Sequence, residues 1–502
     1  MHGSSSLLDR LSEWLRLLLL FGAPVFILIY LAVAAARIAY PFELEGLEGS
    51  SLMQVRRILS GHLLYGPPTM EHTPFLYTPL YFYLSAAVAV VMQGGFMPLR
   101  LVSIAASIGS LILIYRLVSR ETKSKACALL SASLFAATFR LGGAWFDIAR
   151  VDSLVLFMLL LGVYAIRRSG SGKAACTAGI LMGLAVLTKQ SALLVGVTLG
   201  FQGVLPERRR WSLLFMTTFL GLTGASTLLF DAISSGWYSF YTFRQTRAHE
   251  LVPSQILEFW TVDLARPLGI AMALTILYLC YLAAMRLWEP LVFSGLFLAG
   301  MLGMAWGSRI HWGGYDNVLM PAHAVLAIYF GLGLDVLLNR LPRRSVDLWT
   351  QSPVYALCLI QFASLLYNPM NQVPSTADRA AGEELVRRLR SIDGEVLVLH
   401  HAYLASLAGK KSSAEPMALD EAIMALDHEQ ATRLQSEIRS TVLSGKLTAI
   451  VLDNERWQFM DEVRKRYSCS GPIFSDETVF WTRTGVKTRP QEICTLRDSP
   501  VH

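Results

Sequence analysis

Apolar residues in this chain fall in long unbroken blocks, not at the spacing of an amphipathic helix or strand. Eleven such blocks precede about residue 370: Leu17–Arg37, Leu99–Val118, Ala126–Phe139, Ser153–Ile166, Ala175–Leu187, Ser191–Leu205, Trp211–Phe230, Leu264–Met285, Pro290–Trp306, Val318–Leu338 and Pro353–Leu366. A helix crossing a bilayer needs about 20 apolar residues, within roughly 17–25. The pattern predicts eleven spanning helices, several of them short by that measure. A further run, Leu80–Met92, is shorter still and reads as a juxtamembrane helix or a short span.

Charge decides between those two readings. Lys and Arg gather in cytoplasmic loops. If Leu80–Met92 does not cross, Arg10/Arg16, Arg120/Lys123/Lys125, Arg167/Arg168/Lys173, Arg208/Arg209/Arg210, Arg286 and Arg340/Arg343/Arg344 all fall on one side. If it crosses, the later clusters move outside. The non-crossing reading is preferred. Arg10 and Arg16 also precede the first run, as in a signal peptide, but its apolar part exceeds the roughly 7–15 residues of a signal core. An uncleaved first span is expected.

The opposite face then collects the first outer loop (39–98), Leu141–Asp152, the turn Thr188–Gln190, Ala232–Asp263, Gly307–Asn317 and everything after about Asn368. These segments hold nearly all the acidic residues of the membrane region, together with several His. The polar chemistry converges on one membrane face.

The pattern changes in the tail. Ser375 is placed to cap a helix running to about Arg390, with Asp378 three residues on as a capping-box partner. Val396–Leu399 and Thr448–Leu452 read as buried strands, Thr478–Trp481 as a weaker one, and Glu429–Leu443 as an amphipathic helix through Leu434, Ile438 and Val442. The expected organisation is a multi-span all-α membrane domain over residues 1–369, then a small soluble, non-cytoplasmic α/β domain over 370–502.

Composition agrees. The chain is 53% apolar and only 16% charged, against about 25% charged in soluble domains. The net charge of +7 comes from clusters flanking apolar runs, so no nucleic-acid partner is expected. Of the six cysteines, Cys280 and Cys358 lie inside apolar runs, and Cys127 and Cys176 near cytoplasmic ends. Cys469 and Cys494 lie in the tail, where the sequence leaves their pairing open.

Four groups of residues carry candidate chemistry. Glu43, Glu45 and Glu48 put three carboxylates within six residues just after a span; a solvated acidic loop is the plainer reading. Arg150 and Asp152 open a later span. An ionised side chain at the bilayer centre costs about 2.5–3.5 kcal/mol while a leucine returns about 0.3–0.6, so Asp152 belongs at a helix start, where capping explains it equally well. Lys189 breaks two apolar runs, either snorkelling to the interface or holding a lipid phosphate. His311 and Asn317 sit in Arg309–Ile310–His311–Trp312–Gly313–Gly314–Tyr315–Asp316–Asn317, followed by Pro321 and His323. Arg244, Arg247, His249 and Glu250 form a weaker cluster. The Glu cluster also offers ligands for a possible divalent cation, which its spacing does not require.

Together these residues resemble the membrane glycosyltransferases of the C-type fold, specifically glycosyltransferase family 39 and its bacterial relatives, the protein O-mannosyltransferases and undecaprenyl-phosphate aminoarabinose transferases. The resemblance covers about residues 15–340. Glu45–Gly46–Leu47–Glu48–Gly49 followed by Arg56–Gly61 is similar to the family's acidic motif and surface helix. Ala149–Arg150–Val151–Asp152–Ser153 is similar to its Arg-x-Asp motif, Leu187–Thr188–Lys189 to its Leu-Thr-Lys turn, and Asn317 with Pro321 to its late Asn/Tyr-x-x-x-Pro segment.

The resemblance implies transfer of a sugar from a polyprenyl-phosphate donor to an acceptor (glycan, lipid or protein) by inverting displacement. The site would face the exterior or periplasm across the inner (plasma) membrane. It implies Glu48 as the catalytic carboxylate with Glu45 close behind, Asp152 as the second site carboxylate, and Arg150 and Lys189 at the donor phosphate. Glu43, His311, Asn317 and Tyr77 complete the expected substrate contacts. Tyr77–Thr78–Pro79 replaces a Lys-Pro-Pro segment of the aminoarabinose transferases, and the tail matches no family element. The alternatives are a polyprenyl-lipid transporter or flippase, against which no internal repeat and no midplane charge stand, and a non-catalytic assembly subunit of the same fold.

Overall fold

The computed structural model describes residues 7–92, 94–167, 171–341, 351–454 and 457–497; Arg168, Arg343 and Arg344 lie outside these described residues. Every one of the eleven apolar runs is helical. Among the described residues, six helical stretches are long and apolar enough to cross a membrane: Asp9–Arg37, Met97–Thr122, Pro206–Ser234, Gln255–Ala284, Trp288–Arg309 and Asp316–Arg340. The first is interrupted before Pro24, which lacks the N–H that a helix interior needs, and so divides into α1 (Leu7–Gly22) and α2 (Val25–Arg37).

The first outer loop carries two helices, α3 (Glu48–Leu59) and α4 (Leu80–Met92). Helix α3 has Glu48 inside its first turn, and one face of it is buried: Glu48, Ser51, Leu52, Gln54 and Val55. Helix α4 has 13 residues, about 20 Å at 1.5 Å per residue, less than the ~30 Å hydrocarbon core. It packs between α3 and α5 (Met97–Thr122).

Helix α5 ends where Lys123 turns left-handed at φ 58°, and Ser124 then caps α6 (Lys125–Ala137) by accepting from Cys127 N–H. Helices α7 (Asp152–Arg167) and α8 (Gly172–Thr188) lie side by side. Lys189, extended at φ −155°, stops α8. A Cβ on Gly179 would sit 2.7 Å from the Phe215 carbonyl oxygen, so the crossing of α8 with Arg209–Ser234 depends on that glycine. Helix Met320–Asp335 is buried along its whole length and forms the axis of the bundle.

Polar groups gather at both helix ends. At one end, Arg167 pairs with Glu121 and Glu289, Arg208 with Glu289, and Arg340 donates to the Glu121 carbonyl. The other end, roughly 24 Å away along α7, holds the acidic loop, Asp152 and Lys189.

The tail folds into a four-stranded sheet of order β1-β2-β4-β3, from β1 (Glu395–Val398), β2 (Leu447–Asp453), β3 (Tyr467–Ser470) and β4 (Pro490–Leu496). Strands β1 and β2 run parallel and the other pairings are antiparallel. A parallel pair needs a crossover, supplied here by helices that include His428–Leu443, whose Leu434, Ile438 and Val442 are buried as expected. Ser375 and Asp378 form the reciprocal capping box of Thr376–Ser391. Cys469 and Cys494, opposed across β3 and β4, form a disulfide. Thr478–Trp481 is not a strand. Phe480 N–H donates to the Asp378 side chain at 2.7 Å and Phe480 sits at φ 65°, so this segment is tied to the first turn of helix Thr376–Ser391 instead of joining a ladder.

Candidate active site

The acidic loop is fixed by one carboxylate. Glu48 is fully buried between α3 and α5. Its Oε1 accepts from Arg100 Nε at 3.0 Å and Ala149 N–H at 2.6 Å; its Oε2 accepts from Arg100 Nη2 and Leu44 N–H, both at 2.7 Å. Burial opposes the charge, but Arg100 and these backbone donors outweigh it and hold the carboxyl below its ordinary range. Arg100 donates also to the carbonyls of Arg37, Tyr40 and Phe42. Four donors leave Glu48 no lone-pair direction for an incoming hydroxyl. Glu48, expected from the sequence as the attacking base, ties the loop to Arg100 and to the Ala149 backbone.

Glu43 turns the other way. Its Oε1 accepts from Gly49 N–H at 2.8 Å, and its Oε2 meets His401 Nδ1 of the tail. Burial disfavours the charged imidazole, yet Glu43 and Asp453 together hold the His401 pKa well above its ordinary value. Glu43 is thus a tie between loop and tail.

Glu45 is the remaining carboxylate. Its Oε2 lies 3.2 Å from Arg150 Nη1, and both residues are buried. Burial pushes its carboxyl up to about 7 against the pull of Arg150, which poises it near neutral pH. Arg150 Nη2 donates to Tyr77 Oη at 3.0 Å, and the guanidinium lies over the rings of Phe75, Tyr77 and Trp145.

Tyr77 connects this pair to a second one. Lys189 Nζ stands 5.6 Å from the Tyr77 ring centre and 2.7 Å from Asp152 Oδ1, which also accepts from Asn317 Nδ2 at 3.0 Å. Asp152 Oδ2 is buried and has no donor among the described residues. Asp152, Lys189 and Asn317 form the polar end of a narrow cleft whose walls are Val155, Met304, Val318, Met320 and Pro321.

Glu45, Tyr77, Arg150, Asp152, Lys189 and Asn317 therefore form one contact network built from five separate segments. His311 lies apart. Its Nδ1 bonds the Gly307 carbonyl, and its backbone bridges Leu251, so it closes the end of helix Trp288–Arg309. The acidic loop does not converge on a shared cation position: each carboxylate faces its own partner, His401, Arg150 or Arg100. Among the described residues, the one group spaced for a metal is Cys469, Glu492 and Cys494, and its cysteines are disulfide-bonded.

Three contributors escaped the sequence reading. Arg100 is a charge at the start of an apolar run, a signal that was present. Trp145 lies over Arg150, with a buried indole N–H that has no acceptor among the described residues. The tail turn Arg483–Lys487 reaches the site: Arg483 and Thr484 N–H both donate to the Leu44 carbonyl, at 2.8 and 2.9 Å, and Gly485 packs on the Glu45 side chain. No local pattern announces that contact.

The helical bundle, with the acidic loop at one end, has the C-type fold of membrane glycosyltransferases. ArnT from Cupriavidus metallidurans, crystallised bound to undecaprenyl phosphate, superposes with a TM-score of 0.59 at 13% identity, covering 95% of this chain and 98% of that one. The apo oligosaccharyltransferase of Archaeoglobus fulgidus gives 0.54 at 13% identity, covering 86% and 69%. No curated protein matches the sequence. The profile of glycosyltransferase family 87 matches residues 75–334, and the chain belongs to that family. It is a multi-pass membrane glycosyltransferase; the likeness to family 39 stays at the level of the shared fold.

Proposed function

We propose that this enzyme transfers a sugar from a polyprenyl-phosphate donor to an acceptor on the non-cytoplasmic side of the inner (plasma) membrane, by a single inverting displacement. The observation that carries it is the network itself. A buried carboxylate poised near neutrality, Glu45, is joined through Arg150 and Tyr77 to Lys189 at the polar end of an apolar-walled cleft. Undecaprenyl phosphate bound to a protein of the same fold, ArnT, supports a lipid-phosphate donor.

In this reading Glu45 accepts the acceptor hydroxyl's proton. The oxygen attacks the anomeric carbon from the face opposite the phosphate. The bond from that carbon to the phosphate oxygen breaks, and its electron pair leaves with the polyprenyl phosphate. Arg150 and Lys189 stabilise that growing charge, which such fixed donors do well in a site shielded from water. Asp152 and Asn317 hold Lys189 in place, and Tyr77 spaces the two cations. Residues 370–502 act as an exported domain that completes the site.

The test uses the protein in sealed vesicles with donor on one face. Product forming only from donor on the face carrying the tail, with the anomeric configuration inverted by NMR, is the expected result. Retained configuration, or product from donor on the opposite face alone, overturns the proposal.

A further inference from the structure

Next to Glu45, which packs on its wall residue Gly485, lies a second and larger cavity of about 200 Å³. Its walls come from the Arg140–Gly143 turn, Tyr315, the Asn371–Gln372 segment and the tail turn Arg483–Lys487. The lining includes three cationic side chains, Arg140, Arg483 and Lys487, and no acidic one. Arg483 is paired on its far side with Asp378, while its buried Nε has no acceptor among the described residues. Lys487 Nζ donates to the carbonyls of Thr482 and Arg483, which fixes the ammonium without neutralising it. Three cations brought together at the cost of mutual repulsion match an anion.

Two contacts join this cavity to the reacting groups. Gly485, in its wall, packs on the Glu45 side chain, and Tyr315 donates to the Gly485 carbonyl at 3.1 Å while its ring lies tilted against Trp145, the ring over Arg150. Contacts from Glu45 and Arg150 thus run to residues lining both cavities. One is narrow and apolar-walled, with Lys189 at its polar end. The other is wide, polar and basic.

We infer that the basic cavity binds the acceptor, and that the acceptor carries a phosphate or carboxylate group near the hydroxyl that receives the sugar. The inference rests on the proposed transfer reaction for the order of the two cavities, but the anion preference stands on the cavity alone. The anion enters between Arg140, Arg483 and Lys487, and the neighbouring hydroxyl is carried towards Glu45. Two of these three cations belong to the tail, outside the part of the chain that the family profile covers, so the tail sets acceptor specificity.

The test measures binding of glucose 6-phosphate and of glucose to the full chain in nanodiscs of neutral lipid, for the wild type and an Arg140→Gln/Lys487→Gln variant. Polyprenyl-phosphate binding is measured beside it. Glucose 6-phosphate should bind at least ten-fold tighter than glucose, the double variant should lose that preference, and both proteins should bind polyprenyl phosphate alike. Repeating the measurement in phosphatidylglycerol nanodiscs separates the sources of the anion: competition by that lipid points to a lipid-borne phosphate, its absence to a soluble glycan, and either keeps the preference. Equal binding of the two sugars, or a preference that survives the double substitution, overturns the inference. So does displacement of the sugar phosphate by polyprenyl phosphate, which would make this the donor's cavity. Loss of polyprenyl-phosphate binding in the wild type alone would strike the proposed reaction and leave the anion site standing.

Discussion

Arg150 and Glu45 meet as a buried ion pair, 3.2 Å from Nη1 to Oε2, at the junction of the first outer loop and the start of α7. The guanidinium lowers a carboxyl that burial would otherwise raise further. That balance distinguishes Glu45 from its two neighbours, one of them saturated by Arg100 and the other turned to the tail.

The two carboxylates should therefore fail differently. Glu45→Gln should lower kcat by roughly 10²–10⁴, the range for loss of a general base, while most of the protein stays folded. Glu48→Ala should instead destabilise by about 3–5 kcal/mol, because it leaves the Arg100 guanidinium buried and unpaired. Thermal unfolding and turnover, measured together on both variants, separate the roles. A folded, inactive Glu48→Ala protein beside an active Glu45→Gln protein would reverse them.

The rate should follow the Glu45 proton. A base works only when deprotonated, so kcat/KM should rise about ten-fold per pH unit below 7 and level off above it. In Arg150→Gln the lowering influence is gone, so the midpoint of the residual activity should move above 7. A profile flat from pH 5 to 8, on a scale where ordinary carboxylates ionise near 4, would remove Glu45 from the role.

Lys189 is assigned to the donor and not to the acceptor. Lys189→Gln should raise the donor KM by about 10- to 100-fold, the range for a lost hydrogen bond to a charged group, and lower kcat because the leaving phosphate loses a cation, with the acceptor KM nearly unchanged. Initial-rate kinetics with each substrate varied in turn read the difference.

The tail turn should matter to the chemistry. Gly485 sits at φ +73°, and a Cβ there would lie 2.8 Å from Glu45 Cγ. Gly485→Ala should cost about 1–2 kcal/mol of backbone strain and displace Glu45, lowering kcat while donor binding persists. An unchanged kcat would mean that the turn only packs against the site.

Much of the fold was legible because hydropathy blocks are a strong signal. All eleven predicted runs are helical, and the Ser375–Asp378 box caps its helix in the manner proposed. The motifs around Glu45, Arg150–Asp152, Lys189 and Asn317 meet in space as their shared sidedness suggested. What the sequence concealed depends on partners far along the chain. Glu48 looked as reactive as Glu45 until Arg100, 52 residues on, filled both its oxygens. His311 looked like a ligand, but its ring serves the Gly307 carbonyl four residues back. Strands β3 and β4 escaped because their burial is broken by exposed and half-buried positions, so they show no clean apolar run.

The measurement that bears most directly on the central claim is sugar transfer by the purified full chain in lipid, given a panel of radiolabelled polyprenyl-phosphate sugars, with Glu45→Gln beside the wild type. Label passed from one donor to acceptor by the wild type, and at least a hundred-fold more slowly by Glu45→Gln, is the predicted result. Transfer from a nucleotide sugar and from no lipid-linked donor, or equal rates for the two proteins, would contradict it.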